Sequence, residues 1–142
     1  MILLDTNVVS EMMRDRPEPR VVAWLNQQIA QNLALSAVSL SEVLVGIAAL
    51  SDGRRKIALS QSFGAQMATL FGPRILPFDA AAAKAYALLV SQARALGRAI
   101  GRADGEIAAI AMVHGLVVAS RDIAPFDAAG LVVVDPWNLH PT

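Results

Sequence analysis

The chain opens Met1-Ile2-Leu3-Leu4-Asp5-Thr6-Asn7-Val8, and the reading of that stretch sets the reading of the rest. Ile2, Leu3 and Leu4 form an aliphatic run without polar alternation, the pattern of a short strand covered on both faces. A carboxylate, Asp5, follows the strand at once. Runs of the same kind recur at 33–35, 75–76, 116–119 and 131–134. Helical patterns separate them. In 39–50, Leu40, Val43, Leu44 and Ile47 follow an i, i+3, i+4, i+7 spacing. In 79–96 the stripe is Tyr86, Leu89, Ala93 and Leu96. In 104–114 it is Ile107, Ile110 and Ala111, with Gly115 as the stop. Val22, Leu25 and Ile29 mark a helix after Pro17 and Pro19. Phe63, Met67 and Leu70 mark another before Gly72-Pro73. Strands alternating with helices predict an α/β fold, a central parallel sheet flanked by helices on both faces.

The 142 residues suit one domain, expected over 1–137, with 138–142 as a C-terminal tail after Pro136-Trp137. Hydrophobic residues make up 55% and aromatic ones only 5%, so Ala, Val, Leu and Ile must build the core. Lys+Arg 12 balance Asp+Glu 12, which excludes a globally basic nucleic-acid binder but leaves room for a local basic patch. With no cysteine, disulfides, thiolate metal sites and cysteine catalysis are excluded, and a reducing compartment fits. No apolar run approaches the roughly 18 residues of a membrane span. Asp5 interrupts the apolar start and no basic leader precedes it, unlike a signal peptide. A soluble cytoplasmic protein is expected, with no membrane partner.

In an open parallel sheet, sites form beyond the carboxyl ends of the strands. Asp5 stands there after the first run, and Asp122 follows the fourth after Ser120-Arg121. Asp104 opens the helix before that strand. Glu42 lies one turn into the helix after the second strand. Asp is also a favoured helix cap, which is the plain alternative for Asp5, Asp104 and Asp122. Thr6 and Asn7 are available to cap the first helix, however, so Asp5 is not needed there. Asp79, before Ala80-Ala81-Ala82-Ala83, reads as a cap only. Four carboxylates at one edge repel one another, and a divalent cation relieves that repulsion. Mg²⁺ and Mn²⁺ prefer such oxygen ligands. Zinc is a poor fit with only His114 and His140, one at a helix end and one in the tail. No Gly-rich phosphate loop is present.

These residues carry a resemblance to PIN-domain ribonucleases of the VapC/FitB toxin type. Four blocks support it in order: Ile2 to Val8, Ser39 to Ile47 around Glu42, Ile100 to Ala109 around Asp104, and Ser120-Arg121-Asp122 with Phe126 and Pro136-Trp137. The resemblance implies a PIN-like three-layer sandwich. It also implies a Mg²⁺-dependent endoribonuclease, with Mn²⁺ able to substitute, acting as the toxin of a type II toxin–antitoxin system. Asp5, Glu42, Asp104 and Asp122 fall on the acidic positions, as catalytic residues and metal ligands. Thr6 falls on the hydroxyl position that orients water on the metal. On this reading Asp5, Asp104 and Glu42 hold a first ion, Asp122 completes the site or helps hold a second, and metal-activated water hydrolyses the RNA phosphodiester. The resemblance further implies a homodimer, a higher toxin–antitoxin assembly, and a small DNA-binding antitoxin whose arginine enters the acidic groove.

Phosphate contacts fall to Arg98 and Arg102, which with Arg94 lead toward Asp104, and to Ser120-Arg121 beside Asp122. Arg94 and Arg98 are expected one helical turn apart; Arg54-Arg55-Lys56 begin a helix away from the chemistry. Trp24 and Tyr86 are expected in the core. Asp127 and Asp135 depart from the family's pattern and read as structural or peripheral. Three other readings compete. One is a PIN nuclease of RNA processing; another is an inactive PIN binding module, which the presence of all four acids disfavours. A phosphatase of the haloacid dehalogenase type needs a second Asp where Asn7 stands.

Overall fold

A computed structural model describes residues 1–139; His140, assigned above to the tail, lies outside the described residues with Pro141 and Thr142. In chain order the elements are β1 (Ile2–Leu4), α1 (Thr6–Met12), α2 (Pro19–Asn26), β2 (Leu33–Ser36), α3 (Ala37–Ala48) and α4 (Arg54–Phe71). They continue with β3 (Ile75–Leu76), α5 (Ala80–Ala95), α6 (Arg102–His114), β4 (Val117–Ala119), α7 (Ala124–Ala128) and β5 (Val133–Val134). The strands form one sheet in the order β3-β2-β1-β4-β5. Every neighbouring pair is parallel, so all carboxyl ends share one edge.

The lack of alternation in the strands follows from burial on both faces. Leu3, Ala34 and Val118 point to one side, where α5, α6 and α7 pack with Leu89, Ile107, Ile110 and Phe126. Leu4, Leu35 and Ala119 point to the other, against Val8, Val21, Trp24, Val43, Phe63 and Met67 of α1 to α4. The result is helices, sheet, helices, as the sequence predicts. Trp24 is core, as expected, and Tyr86 packs against its edge.

Several boundaries differ from the periodicity. Helix α2 ends at Asn26 and buries Val21 and Trp24; Ile29 lies beyond it and is exposed. Helix α4 buries Phe71 in place of Leu70. Leu44 and Leu96 were expected on buried stripes but face solvent. Helix α5 stops at Ala95, so Arg94 and Arg98 do not share a helix face. Helix α6 starts at Arg102 behind Gly101, two residues earlier than expected, which makes Asp104 an interior first-turn residue.

Helix α6 lies between the sheet and α5, with Ile107 to Ala111 wholly buried. Small residues permit that approach. A Cβ added at Gly105 would stand 2.8 Å from Tyr86 Cε2. The Tyr86 ring cannot easily yield, since it meets Phe78 edge-on at 6.1 Å between centroids and carries the Arg102 guanidinium 4.7 Å above it. Gly105→Ala should therefore destabilise the chain by about 1–3 kcal/mol through overpacking. Urea unfolding of the variant, alone and with Tyr86→Leu, checks this; the second substitution should recover most of the loss.

Candidate active site

Strand register builds the site. Leu4 pairs with Leu35 of β2 and with Ala119 of β4. The next residues in each strand, Asp5, Ser36 and Ser120, therefore stand side by side as the strands end. The Asp5 N–H donates to the Ala119 carbonyl at 2.9 Å, and the Ser120 N–H to that of Val134 at 2.9 Å. All three side chains are buried. Ser36 caps α3 by accepting from the Ser39 N–H at 2.9 Å. That cap orients the helix that carries Glu42.

Ser120 is the hub. Its hydroxyl donates to Asp5 Oδ2 at 2.6 Å and accepts from the Asp122 N–H at 3.0 Å and from Asn7 Nδ2 at 3.2 Å. Asn7 Oδ1 in turn accepts from the Arg121 N–H at 3.3 Å. The loop carrying Asp122 is thus tied to the start of α1. On the other side the Thr6 hydroxyl donates to Glu42 Oε1 at 2.6 Å and lies 3.0 Å from Ser39 Oγ. Asp5 Oδ1 accepts from the Thr6 N–H at 2.8 Å, so Asp5 does cap α1, although Thr6 and Asn7 were available for that place. Its second oxygen, Oδ2, accepts from Ser120. Asp104 and Asp122 cap nothing: α6 is preceded by Gly101 and α7 by Ile123, without side-chain caps. Asp79 is a cap, accepting from the Ala82 N–H at 3.0 Å.

The acids act on one another electrostatically. Burial pushes the Asp5 carboxyl up to about 6; the hydrogen bonds from Ser120 and Thr6 oppose this, and the charges of Asp104 and Glu42 add to it. Asp104 is also raised, by burial and then by the charges of Asp122 and Glu42. Among the described residues none of the four acids forms a salt bridge. No three acidic or histidine side chains among those residues converge as a ready-made metal cage. The four carboxylates are all-oxygen donors, the chemistry a hard divalent ion prefers, and they would have to draw closer together to share one.

The basic residues divide. Arg98 lines a cavity of about 450 Å³ together with Asp104 and Asp122. Arg102 pairs with Glu106 and lies over Tyr86. Arg121 places its guanidinium 5.3 Å from the Trp137 ring centroid. Both side chains are thus engaged with neighbouring aromatic rings. Asp135 caps the Pro136-Trp137 turn, accepting from the Trp137 N–H at 2.9 Å. Asp127 lines the cavity of Asp104 and Asp122. The sequence reading overlooked Asn7, Ser36 and Ser39 as supports. Their only signal is a small polar residue directly after or near an aliphatic strand.

A model of the PIN domain matches residues 2–131. This chain belongs to the PIN-domain family. The PIN domain here is 43% identical over 138 residues to VapC ribonuclease Y4jK of Sinorhizobium fredii, covering 97% of this chain and 99% of that one. It is 46% identical over 138 residues to toxin FitB of Neisseria gonorrhoeae, with the same coverage. The solved structure of FitAB bound to an IR36 DNA fragment contains a chain 45% identical, with TM-score 0.94 and 99% of each chain covered. Ribonucleases of the PIN family depend on divalent metal ions.

Crowded acids make a pH prediction. Asp5 holds its proton more tightly folded than unfolded, where its value is 3.8. Its contribution to stability is full below about pH 4 and is lost as pH rises through about 6. In chelator at pH 7.5, Asp5→Asn should melt higher than the parent, by on the order of 2 kcal/mol. The difference should close below pH 4. Asp104→Asn should hold or raise stability likewise, and both variants should lose the rise in Tm that Mn²⁺ gives the parent. Calorimetry at pH 4 and 7.5, with and without Mn²⁺, measures all of this.

Proposed function

We infer that this PIN domain, folded over residues 1–137, is a metal-dependent endoribonuclease and the toxin half of a type II toxin–antitoxin pair. The observation that carries the reading is the row Asp5, Ser120 and Asp122 beside Thr6, Glu42 and Asp104, with four carboxylates, in a chain 43% identical to a VapC ribonuclease. Asp5, Glu42, Asp104 and Asp122 are the proposed ligands, and Mg²⁺ the proposed ion, with Mn²⁺ substituting. When bound, such an ion lowers the pKa of water and neutralises charge on the phosphate.

The chain's own residues supply position. Ser120 keeps Asp5 ionised and aimed by donating to it, while its lone pairs hold the Asp122 loop. Thr6 holds Glu42; its role is the orientation of that carboxylate rather than of water. Buried Asp5 and half-buried Asp104 exclude solvent from one side of the site. Arg98 shares a cavity with Asp104 and Asp122 and is the proposed contact for a phosphate oxygen.

The proposed partners follow from the relatives. FitB is named a toxin, and its solved complex carries a second component and DNA. A small DNA-binding antitoxin is proposed here too. An apolar groove of about 470 Å³ between α1 and α4, lined by Val9, Met12, Phe63 and Met67, would receive an apolar segment of it. Exposed Leu44 and Val45 on α3 and Leu88 on α5 support a homodimer and, with antitoxin, a larger assembly. No described helix is long and apolar enough to cross a membrane. An RNA substrate and a DNA-binding partner make the cytoplasm the proposed location.

Cleavage of total cellular RNA by purified, antitoxin-free chain tests the reading. Discrete products are expected with Mg²⁺ or Mn²⁺ and none with chelator. Asp5→Asn should lose at least about 100-fold in rate. Thr6→Val should lose about 10-fold, and Thr6→Ser should restore it. Metal-independent cleavage, or full activity in Asp5→Asn, would refute the assignment.

A further inference from the structure

We propose that the cavity beyond Asp104 and Asp122 seats one nucleotide next to the scissile phosphate, and that Asp127 selects guanine there. The proposal rests on the ribonuclease reading above. At about 450 Å³ the cavity lies in the range of pockets that hold small organic ligands. Its walls carry opposite charges. Arg98 forms one, Asp127 with Pro125 and Ala128 another, and Asp104 and Asp122 join it to the carboxylate edge.

The backbone that carries each charged wall is fixed. Helix α5 closes with Gly97 at φ 69, the Gly97 N–H on the Arg94 carbonyl at 3.0 Å and the Arg98 N–H on that of Ala93 at 2.8 Å. This double closure sets the direction in which the chain leaves with Arg98. Helix α7 is anchored by wholly buried Phe126, and Asp127 is the next residue. Neither Arg98 nor Asp127 forms a salt bridge among the described residues, although they share one cavity. Helix α6 begins beside the cavity without a side-chain cap, which adds partial positive charge near Gly101.

A ribonucleotide matches this polarity. Its phosphate suits Arg98, and the donor groups of its base suit a carboxylate. Single-stranded RNA is read through such exposed base edges. A carboxylate offers two acceptors side by side. Guanine alone presents two adjacent donors, N1–H and N2–H. Uracil has one donor between two carbonyls, which a carboxylate repels. Adenine and cytosine each set one amine beside an acceptor nitrogen. A site built for paired donors discriminates strongly against bases that lack them.

The test reads binding without hydrolysis. The isotope-labelled full chain is titrated with guanosine, inosine and uridine monophosphates in metal-free buffer and followed by NMR. Guanosine monophosphate should shift amide signals at 98–101 and 124–128, and should saturate at concentrations at least about fivefold lower than inosine monophosphate, which lacks the 2-amino group. Asp127→Ala and Asp127→Asn should abolish that preference, and their spectra report whether the fold is kept. Shifts elsewhere, no shifts, equal response to uridine monophosphate, or a preference that survives in Asp127→Ala would each overturn the proposal. A chain that selects guanine but cuts no RNA would sink the nuclease reading alone. RNA cleavage with no guanine preference would sink only this one.

Discussion

The site depends on one hydrogen bond, from the Ser120 hydroxyl to Asp5 Oδ2 at 2.6 Å. It joins residues 115 positions apart in sequence and exists only because β1 and β4 are parallel and in register. Leu4 opposite Ala119 makes Asp5 the neighbour of Ser120. A one-residue slip would turn Asp5 away and bury Leu4 on the wrong face. The aliphatic core on both faces therefore fixes the register, and the register fixes the chemistry. The same bond opposes the burial that raises the Asp5 carboxyl, which keeps a buried acid close to ionisation.

The four acids come from four separate segments: the end of β1, the second turn of α3, the first turn of α6 and the loop after β4. Burial and mutual repulsion raise the Asp5 and Asp104 carboxyls, and among the described residues none of the four acids forms a salt bridge; Arg102 and Arg121 contact Tyr86 with Glu106 and Trp137 instead. Such destabilisation at a carboxylate edge supports the cation site proposed here. On the proposed ribonuclease function, an overall neutral chain would attract RNA through the bound ion and not through its net charge.

The sheet and the acids were legible in the sequence because each depends on short-range pattern. Uninterrupted aliphatic triplets mark doubly covered strands, and an acid directly after one marks the functional edge. Helix limits were less legible. Asp104 resembles a cap until Gly101 is seen to start α6 two residues earlier, and Ile29 and Leu70 continue a periodicity after their helices have turned away from the core. The arginines were least legible. The partners of Arg102 and Arg121 include aromatic rings 16 residues away in sequence, Tyr86 and Trp137, and nothing local signals them. The supporting role of Asn7 and Ser120 likewise belongs to the register and not to either segment alone.

The central claim is that carboxylates from these separate segments act on one ion. The most direct measurement is Mn²⁺ binding to the full chain, followed by electron paramagnetic resonance, in Asp5→Asn, Asp122→Asn and the double variant, with Asp79→Asn as control. The account predicts at least tenfold weaker binding in each single variant. It also predicts a double variant little worse than either, since one lost ligand already dismantles the shared site, and an unchanged control. Binding that is unchanged in Asp5→Asn, or losses that simply add, would contradict it.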